Sequence, residues 1–428
     1  MKKTFFAIVL LGFACSVIAG YPQTQTLPEK SAQVQHWQPL ELLLLSSGAI
    51  AQTTATAASE RILQVENSEA RNLDSILEKI RNTHKVPALA CAVVLSNRIV
   101  GLGAVGLRKS GVTNAPVTLQ DKWHHGSITK SMTATLAAIM VERGAIQWTN
   151  TLADVFPSLT NCMHSAFLQV TLEQLTSNRG GVPEAIPPAV WSELWDFDST
   201  PREARRLLLE RMTTNAPSSA PGTRFEYSNA GFAIAGHMLE TVAGKPWEEL
   251  LVTELFKPLG MTSAGFGVPA TPRYINHPWG HTLPNPSKPP GPGNALIPME
   301  PGTNADNPPA IGPAGTVHCS LTDLATYVAF HLAVDKSDTP ILHRASGRKL
   351  HTECRNNSDY AYGWNVVHRD WAKGKALNHT GSNTQWYSNV WLAPERDFAV
   401  IALCNLGGDT AFAATDAVAA AMIQQFLR

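Results

Sequence analysis

The sequence predicts an α/β chain: one antiparallel sheet closed by both ends of the chain, helices packed on it, and a largely helical stretch between. Three observations predict this. Near the start, apolar residues at helical spacing lead into two apolar runs joined by a turn. Near the end, two apolar runs around a turn lead into an Ala-rich helical stretch. Between them, from about 130 to 259, Gly and Pro interrupt a series of helix-patterned segments. Helix and hairpin at one end, hairpin and helix at the other, are most simply joined as one layer with helices on it.

The 428 residues are 44% apolar and 16% charged, enough for one large domain or two. A formal net charge of zero argues against a nucleic acid partner and against an electrostatically held membrane surface. The expected ligand is a small-molecule or peptide substrate; the oligomeric state is left open.

Lys2 and Lys3 precede an apolar run over 5–13, and small residues lead to Ala19 and Gly20. This is the layout of a secretory signal over 1–19, cleaved near Ala19. The run falls short of the roughly 20 apolar residues a span needs, so an exported chain with no membrane span is expected. A second reading, a lipid anchor through Cys15, rests on Gly12-Phe13-Ala14-Cys15, where Gly12 replaces the usual larger aliphatic. Residues 20–69, rich in Gln, Thr, Ser and Ala with an apolar run at 40–45, read as a linker or poorly ordered lead. The folded domain is expected over 70–428, with a helical lobe inserted at about 130–315.

Beyond the signal stand Cys91, Cys162, Cys319, Cys354 and Cys404, an odd set at irregular spacing with no legible disulfide framework. There is no C-x-x-C or H-E-x-x-H, and the adjacent His124 and His125 lack the i, i+4 spacing of helical ligands, so no metal site is predicted.

Taken in order, Leu73, Ile76, Leu77 and Ile80 mark a helix, and the runs 88–95 and 99–105 around Ser96-Asn97-Arg98 mark a hairpin. Gly101, Gly103 and Gly106 satisfy G-x-G-x-x-G. A dinucleotide fingerprint must open a helix, whereas turn residues follow here, so no cofactor is predicted. His124-His125-Gly126-Ser127-Ile128-Thr129-Lys130 then begins a helix apolar on nearly every face, with Gly144 as C-cap, and such a helix is buried. Ser127 and Lys130, three apart, share one face near its start. A serine hydroxyl is a poor nucleophile until a base takes its proton, and a buried lysine can be that base. The pair reads as S-x-x-K, though a capping serine beside a solvated lysine gives the same spacing.

Residues 269–313 hold 13 of the 29 prolines, a density incompatible with regular helix or central strand, and read as a binding loop or disorder. Before that, Pro221-Gly222-Thr223 leads to Tyr227-Ser228-Asn229 ahead of a helix starting at Ala230. Tyr227 and Asn229, two apart, project the same way from an extended segment; alone, Asn229 reads as a helix N-cap and Tyr227 as a packed aromatic. Late in the chain, His379-Thr380-Gly381-Ser382 precedes the last hairpin. Gly381 would let a substrate backbone approach, and the Ser382 N–H would join the Ser127 N–H in receiving a developing oxyanion. The hairpin is expected at 386–392 and 398–403, with Asp409 capping a helix over 410–427.

In this order the motifs resemble those of the penicillin-recognising serine hydrolases: class C β-lactamases, serine D,D-peptidases and related esterases. The resemblance covers about Leu73 to the C-terminus and includes Pro258-Leu259-Gly260-Met261-Thr262 and Tyr362-Gly363-Trp364. It implies a β-lactamase-like sandwich, an antiparallel sheet with flanking helices plus an all-helical lobe, with the site in the cleft between. It implies Ser127 as the acylated nucleophile, Lys130 and Tyr227 sharing the proton transfers, and Asn229, His379, Thr380, Gly381 and Ser382 contacting substrate. His379 stands where β-lactamases of the family usually carry lysine. A histidine with an ordinary pKa near 6.5 is mostly neutral at pH 7. Ester or peptide hydrolysis is therefore expected to exceed β-lactam hydrolysis, with preference for carboxylate-bearing substrates rising as pH falls through that value. The alternatives are a class C-like β-lactamase and a catalytically silent binder of peptidoglycan or penicillin. Ser127, Lys130 and Tyr227 all being present speaks against the silent binder.

Overall fold

The computed structural model describes residues 70–302, 305–354 and 359–427; the expected signal, Cys15 and the lead to residue 69 lie outside them. Two stretches without a polar residue form the middle of the sheet. Ala88–Leu95 and Phe398–Cys404 are apolar throughout, the pattern of strands covered on both faces, and they pair antiparallel with Phe398 opposite Leu95 and Cys404 opposite Leu89. Seven strands follow the order Arg71–Asn72, Arg98–Gly106, Ala88–Leu95, Phe398–Cys404, Tyr387–Ala393, Gly374–Ser382, Asn365–Arg369. All neighbours are antiparallel except the outermost Arg71–Asn72, which lies parallel to Arg98–Gly106. The first and last parts of the chain thus build one sheet, as the patterning predicts.

The helices Asp74–His84 and Asp409–Phe426 lie against this sheet, and the glycine pattern that imitates a nucleotide fingerprint lets them approach. A β-carbon at Gly103 would come 2.8 Å from Leu77 Cδ1, and one at Gly101 3.0 Å from Phe426 Cζ.

Between the two halves of the sheet the chain is mainly helical. Leu152–Val155, Leu172–Thr176 and Pro201–Thr213 each begin with a capping box, in which Thr151, Thr171 and Thr200 exchange hydrogen bonds with Asp154, Gln174 and Glu203. Arg205 is fully buried and locks three helices together: it donates to Glu240 on Asn229–Ala243 at 2.7 and 3.0 Å and to Glu248 on Trp247–Leu251 at 2.9 Å. The helix Thr129–Glu142 runs through the middle of this assembly and is buried from Thr129 to Met140.

Of the two readings of the Pro-rich segment, its described residues follow the ordered one. They carry one short strand pair, Gly280–Thr282 with Ile297–Met299, and a 3-10 turn Pro309–Ile311 that leads into the helical turn Gly312–Gly315; the irregular backbone between is fastened to the sheet. His281 donates its backbone N–H to Gln385 O at 3.0 Å, and its Nδ1 lies 2.8 Å from Asn405 O. Among the described residues no helix is long and apolar enough to cross a membrane.

Candidate active site

The site begins where a single 3-10 turn, Gly126–Ile128, passes into the buried helix Thr129–Glu142. Ser127 stands on the turn and Lys130 on the first turn of the helix, its side chain wholly excluded from solvent. Lys130 Nζ lies 3.0 Å from Ser127 Oγ, 2.7 Å from Asn229 Oδ1 and 2.8 Å from Ala314 O. The solvated-lysine reading of S-x-x-K therefore fails. An amide oxygen and a peptide carbonyl accept hydrogen bonds but do not take protons at ordinary pH. Two of the three directions around the amine are thus occupied by fixed acceptors, and the third points at the hydroxyl.

Ala314 is a partner that the sequence does not announce, since it acts through its carbonyl. It is placed by two contacts one residue away. Pro313 sits over Gly236, where a β-carbon would come 2.3 Å from Pro313 Cγ, and Thr133 Oγ1 donates to Pro313 O at 2.7 Å.

Tyr227 and Asn229 come to the other side of the amine, with one correction. Asn229 is not the cap of the following helix. That role falls to Ser228, whose backbone is extended and whose Oγ accepts the Gly231 N–H at 3.0 Å, so the helix runs Asn229–Ala243. Freed from capping, the Asn229 amide turns its oxygen to Lys130. The Tyr227 ring centroid lies 4.7 Å from Lys130 Nζ, within cation–π range.

The strand Gly374–Ser382 brings the last group. Its pairing with Asn365–Arg369 covers residues 374–378, while its pairing with Tyr387–Ala393 continues to Ser382. Its end meets the Ser127 turn backbone to backbone. A β-carbon on Gly381 would stand 2.0 Å from His125 O and 2.9 Å from Ser127 N; one on Gly126, which has φ +51°, would stand 2.4 Å from Ser382 N. Only glycine fits either position. The Ser127 and Ser382 backbone N–H groups are thereby brought to adjoining segments. Thr380 is half-buried on the same strand.

His379 departs from expectation. It is 3% exposed, and burial first, then the neighbouring Lys130, push its pKa down to about 3. A value near 6.5 assumes solvent around the ring, and none is there. Its Nδ1 lies 2.5 Å from Thr380 O, so the proton sits on Nδ1, and Nε2 is a buried acceptor with no hydrogen-bond partner among the described residues. Its ring faces two phenols: centroids lie 6.3 Å from Tyr227 and 6.2 Å from Tyr360, and Tyr360 in turn meets the partly exposed Phe225 at 5.1 Å. Tyr360 was not legible as a site residue, although it stands two positions before the Tyr362-Gly363-Trp364 motif. Gly363 itself presses on the helix Thr129–Glu142, where a β-carbon would come 2.5 Å from Ser131 Cα.

A buried lysine amine facing a serine hydroxyl at a helix start, with a tyrosine and an asparagine beside it, has the layout of a serine hydrolase. The sequence model of the family named Beta-lactamase matches residues 73–425, and the chain belongs to that family of serine hydrolases. Among relatives, penicillin-binding protein 4 of Amycolatopsis lactamdurans is 24% identical over 349 residues, covering 78% of this chain and 85% of its own. A β-lactamase of Escherichia coli is 24% identical over 220 residues, covering 51% of this chain and 52% of its own, so only about half of each aligns. The octameric penicillin-binding protein homologue of Pyrococcus abyssi superposes with a TM-score of 0.65 at 22% identity, over 81% of this chain and 76% of that one. At that identity the superposition speaks for the fold.

Proposed function

We propose that the chain is an exported hydrolase that opens ester or peptide bonds through an acyl-enzyme on Ser127. The observation that carries this reading is the 3.0 Å contact between Lys130 Nζ and Ser127 Oγ, with the amine's other directions held by Asn229 and Ala314. In the first step the Ser127 Oγ–H proton passes to Lys130 Nζ as Oγ bonds to the substrate carbonyl carbon. The oxygen that becomes negative is received by the Ser127 and Ser382 N–H groups. Collapse of the tetrahedral intermediate breaks the bond to the leaving group, which takes a proton from Lys130, with Tyr227 alongside to share it. Water then repeats the sequence on the acyl-enzyme, and the acid leaves.

The substrate preference follows from His379. A lysine there would hold a fixed positive charge, whereas a neutral imidazole with a bare Nε2 accepts a hydrogen bond and offers none to a carboxylate. A substrate N–H or O–H suits it. This favours neutral esters and peptides over β-lactams, with Tyr227, Tyr360 and Phe225 as an aromatic wall for apolar groups. Export is supported by Lys2, Lys3 and the apolar run over 5–13.

One experiment tests both parts. The exported fraction is treated with a fluorophosphonate, and the intact mass and the labelled peptide are read. The expected result is one adduct, on Ser127, in a chain lacking residues 1–19. A chain that keeps those residues removes export from the proposal, and a Ser127→Ala variant that still turns over substrate removes the mechanism.

A further inference from the structure

The two N–H groups assigned to the oxyanion come from segments far apart in the chain, so something must hold their separation. Three buried side chains join the residues on either side of them. His124, three positions before Ser127, is fully buried and stacked on Trp386 with ring centroids 5.5 Å apart and planes 28° apart. Its Nδ1 accepts the Gly126 N–H at 3.1 Å. That bond requires a bare Nδ1, so the ring proton sits on Nε2, which faces Asp306 at 3.0 Å from Oδ1 and 3.1 Å from Oδ2. Asp306 Oδ1 also accepts from Asn383 Nδ2 at 3.2 Å, and Asn383 directly follows Ser382. Asn383 Nδ2 lies 3.3 Å from Ala305 O, and the Asn307 N–H donates to Asp306 Oδ1 at 2.7 Å, which fix the carboxylate to its own loop.

We infer that Asp306 is a positioning residue that sets the oxyanion hole. Through His124 it fixes the turn that carries the Ser127 N–H, and through Asn383 it fixes the strand end that carries the Ser382 N–H. The Pro-rich excursion then has a task in the chemistry: it delivers one carboxylate, 9% exposed, to the seam between the two donors. The carboxylate suits this place because both arms present donors, an imidazole N–H and an amide NH2, and an ionised carboxylate accepts both without offering a proton of its own. An amide at the same position accepts one and turns its own NH2 at the other. The inference rests on the functional reading above, because it assumes that Ser127 is the attacking group.

A hole works only when its donors are held to within about 0.5 Å of the productive geometry. Removing one donor outright costs about 10²–10³ in kcat, and displacing it costs less. Asp306→Asn is therefore expected to lower kcat on a short-chain nitrophenyl ester about 10- to 100-fold, with KM changed by less than about threefold. The readout that a general loosening of the structure would not move is the ratio of kcat/KM for that ester to kcat/KM for its thionoester. Sulfur is a weak hydrogen-bond acceptor, so the thionoester gains little from the hole, and the ratio should fall in Asp306→Asn as the ester loses its advantage. Asn383→Ala, which cuts only the arm on the Ser382 side, should move the ratio the same way by less, and it carries the test if Asp306→Asn does not fold. Unchanged kcat in folded variants overturns the inference. A kcat loss that falls equally on ester and thionoester overturns it too. Ser127→Ala is run alongside: if that variant still acylates, the functional reading fails whatever Asp306 does. If it is inert while the ratio stays put, only the clamp is lost.

Discussion

Lys130 Nζ and His379 Nε2 are both buried nitrogen atoms, yet the first has three oxygen atoms within 3.0 Å and the second has no hydrogen-bond partner among the described residues. The contrast separates two tasks. On the proposed mechanism the amine must stay in line with Ser127 Oγ, and Asn229 Oδ1 and Ala314 O hold it there. The imidazole is held through Nδ1 by Thr380 O, and its Nε2 is left a buried acceptor without a partner among the described residues. A buried polar atom without a partner costs about 1–3 kcal/mol, which on the proposed function a substrate donor would recover on binding. On the proposed function, fixed geometry serves the chemical step and the unsatisfied acceptor selects the substrate.

The contrast breaks most severely if the fixed nitrogen is removed. Lys130→Met keeps the length of the side chain but deletes the amine, and kcat should fall by about 10²–10⁴, the range of a positioned general base. Burst-phase acylation by a nitrophenyl ester measures it. A burst rate within threefold of the parent would show that the proton leaves Ser127 by another route.

A milder change converts the unsatisfied nitrogen into a fixed charge. His379→Lys should raise kcat/KM for a cephalosporin relative to a neutral ester by about 10- to 100-fold, the worth of one charge-assisted hydrogen bond. In the parent chain that ratio should stay flat from about pH 5.5 to 8, because a group with a pKa of about 3 does not titrate there. A ratio that climbs as pH falls through 6.5 would mean the imidazole is solvated, contrary to its burial.

The smallest effect is on stability. Burial first, then the nearby His124 and His318, push His125 down to about 3; burial also pushes His281 and His318 down to about 4. In the unfolded chain each returns to about 6.5. Between these values the unfolded state binds more protons, so stability is fully present above about 6.5 and declines as pH falls toward the folded values. Urea midpoints at pH 7.5, 6 and 5 should fall in that order. Equal midpoints would place these rings in water.

The parts legible in sequence were those written in local pattern. The apolar runs 88–95 and 398–403 carry enough information to be strands, and Ser127 with Lys130 declares a helix start with two reactive groups. What was not legible depends on distant backbone. Ala314 offers only a carbonyl, which every residue has. Ser228 and Asn229 are both good caps, and only the placement of Lys130 decides which is spared for the amine. His379 is depressed by burial and by the nearby Lys130, with Tyr227 and Tyr360 facing its ring, and none of these three is its neighbour in sequence. Asp306 is hidden by composition, since proline and glycine dominate the segment and suggest a loop without suggesting a duty.

The meeting of Gly126 and Gly381 has a consequence in time as well as space. One glycine belongs to the first third of the chain and the other to its last eighth, and their segments pack against each other only once the strand Gly374–Ser382 is in place. Such long-range pairing is slow, because the closure of the intervening chain must precede its reward. The turn bearing Ser127 and the helix that follows it can form early from local contacts, but the paired donors cannot. On the proposed function the chain would carry its nucleophile through synthesis and folding without the means to use it, and reactivity would arrive together with the last strands.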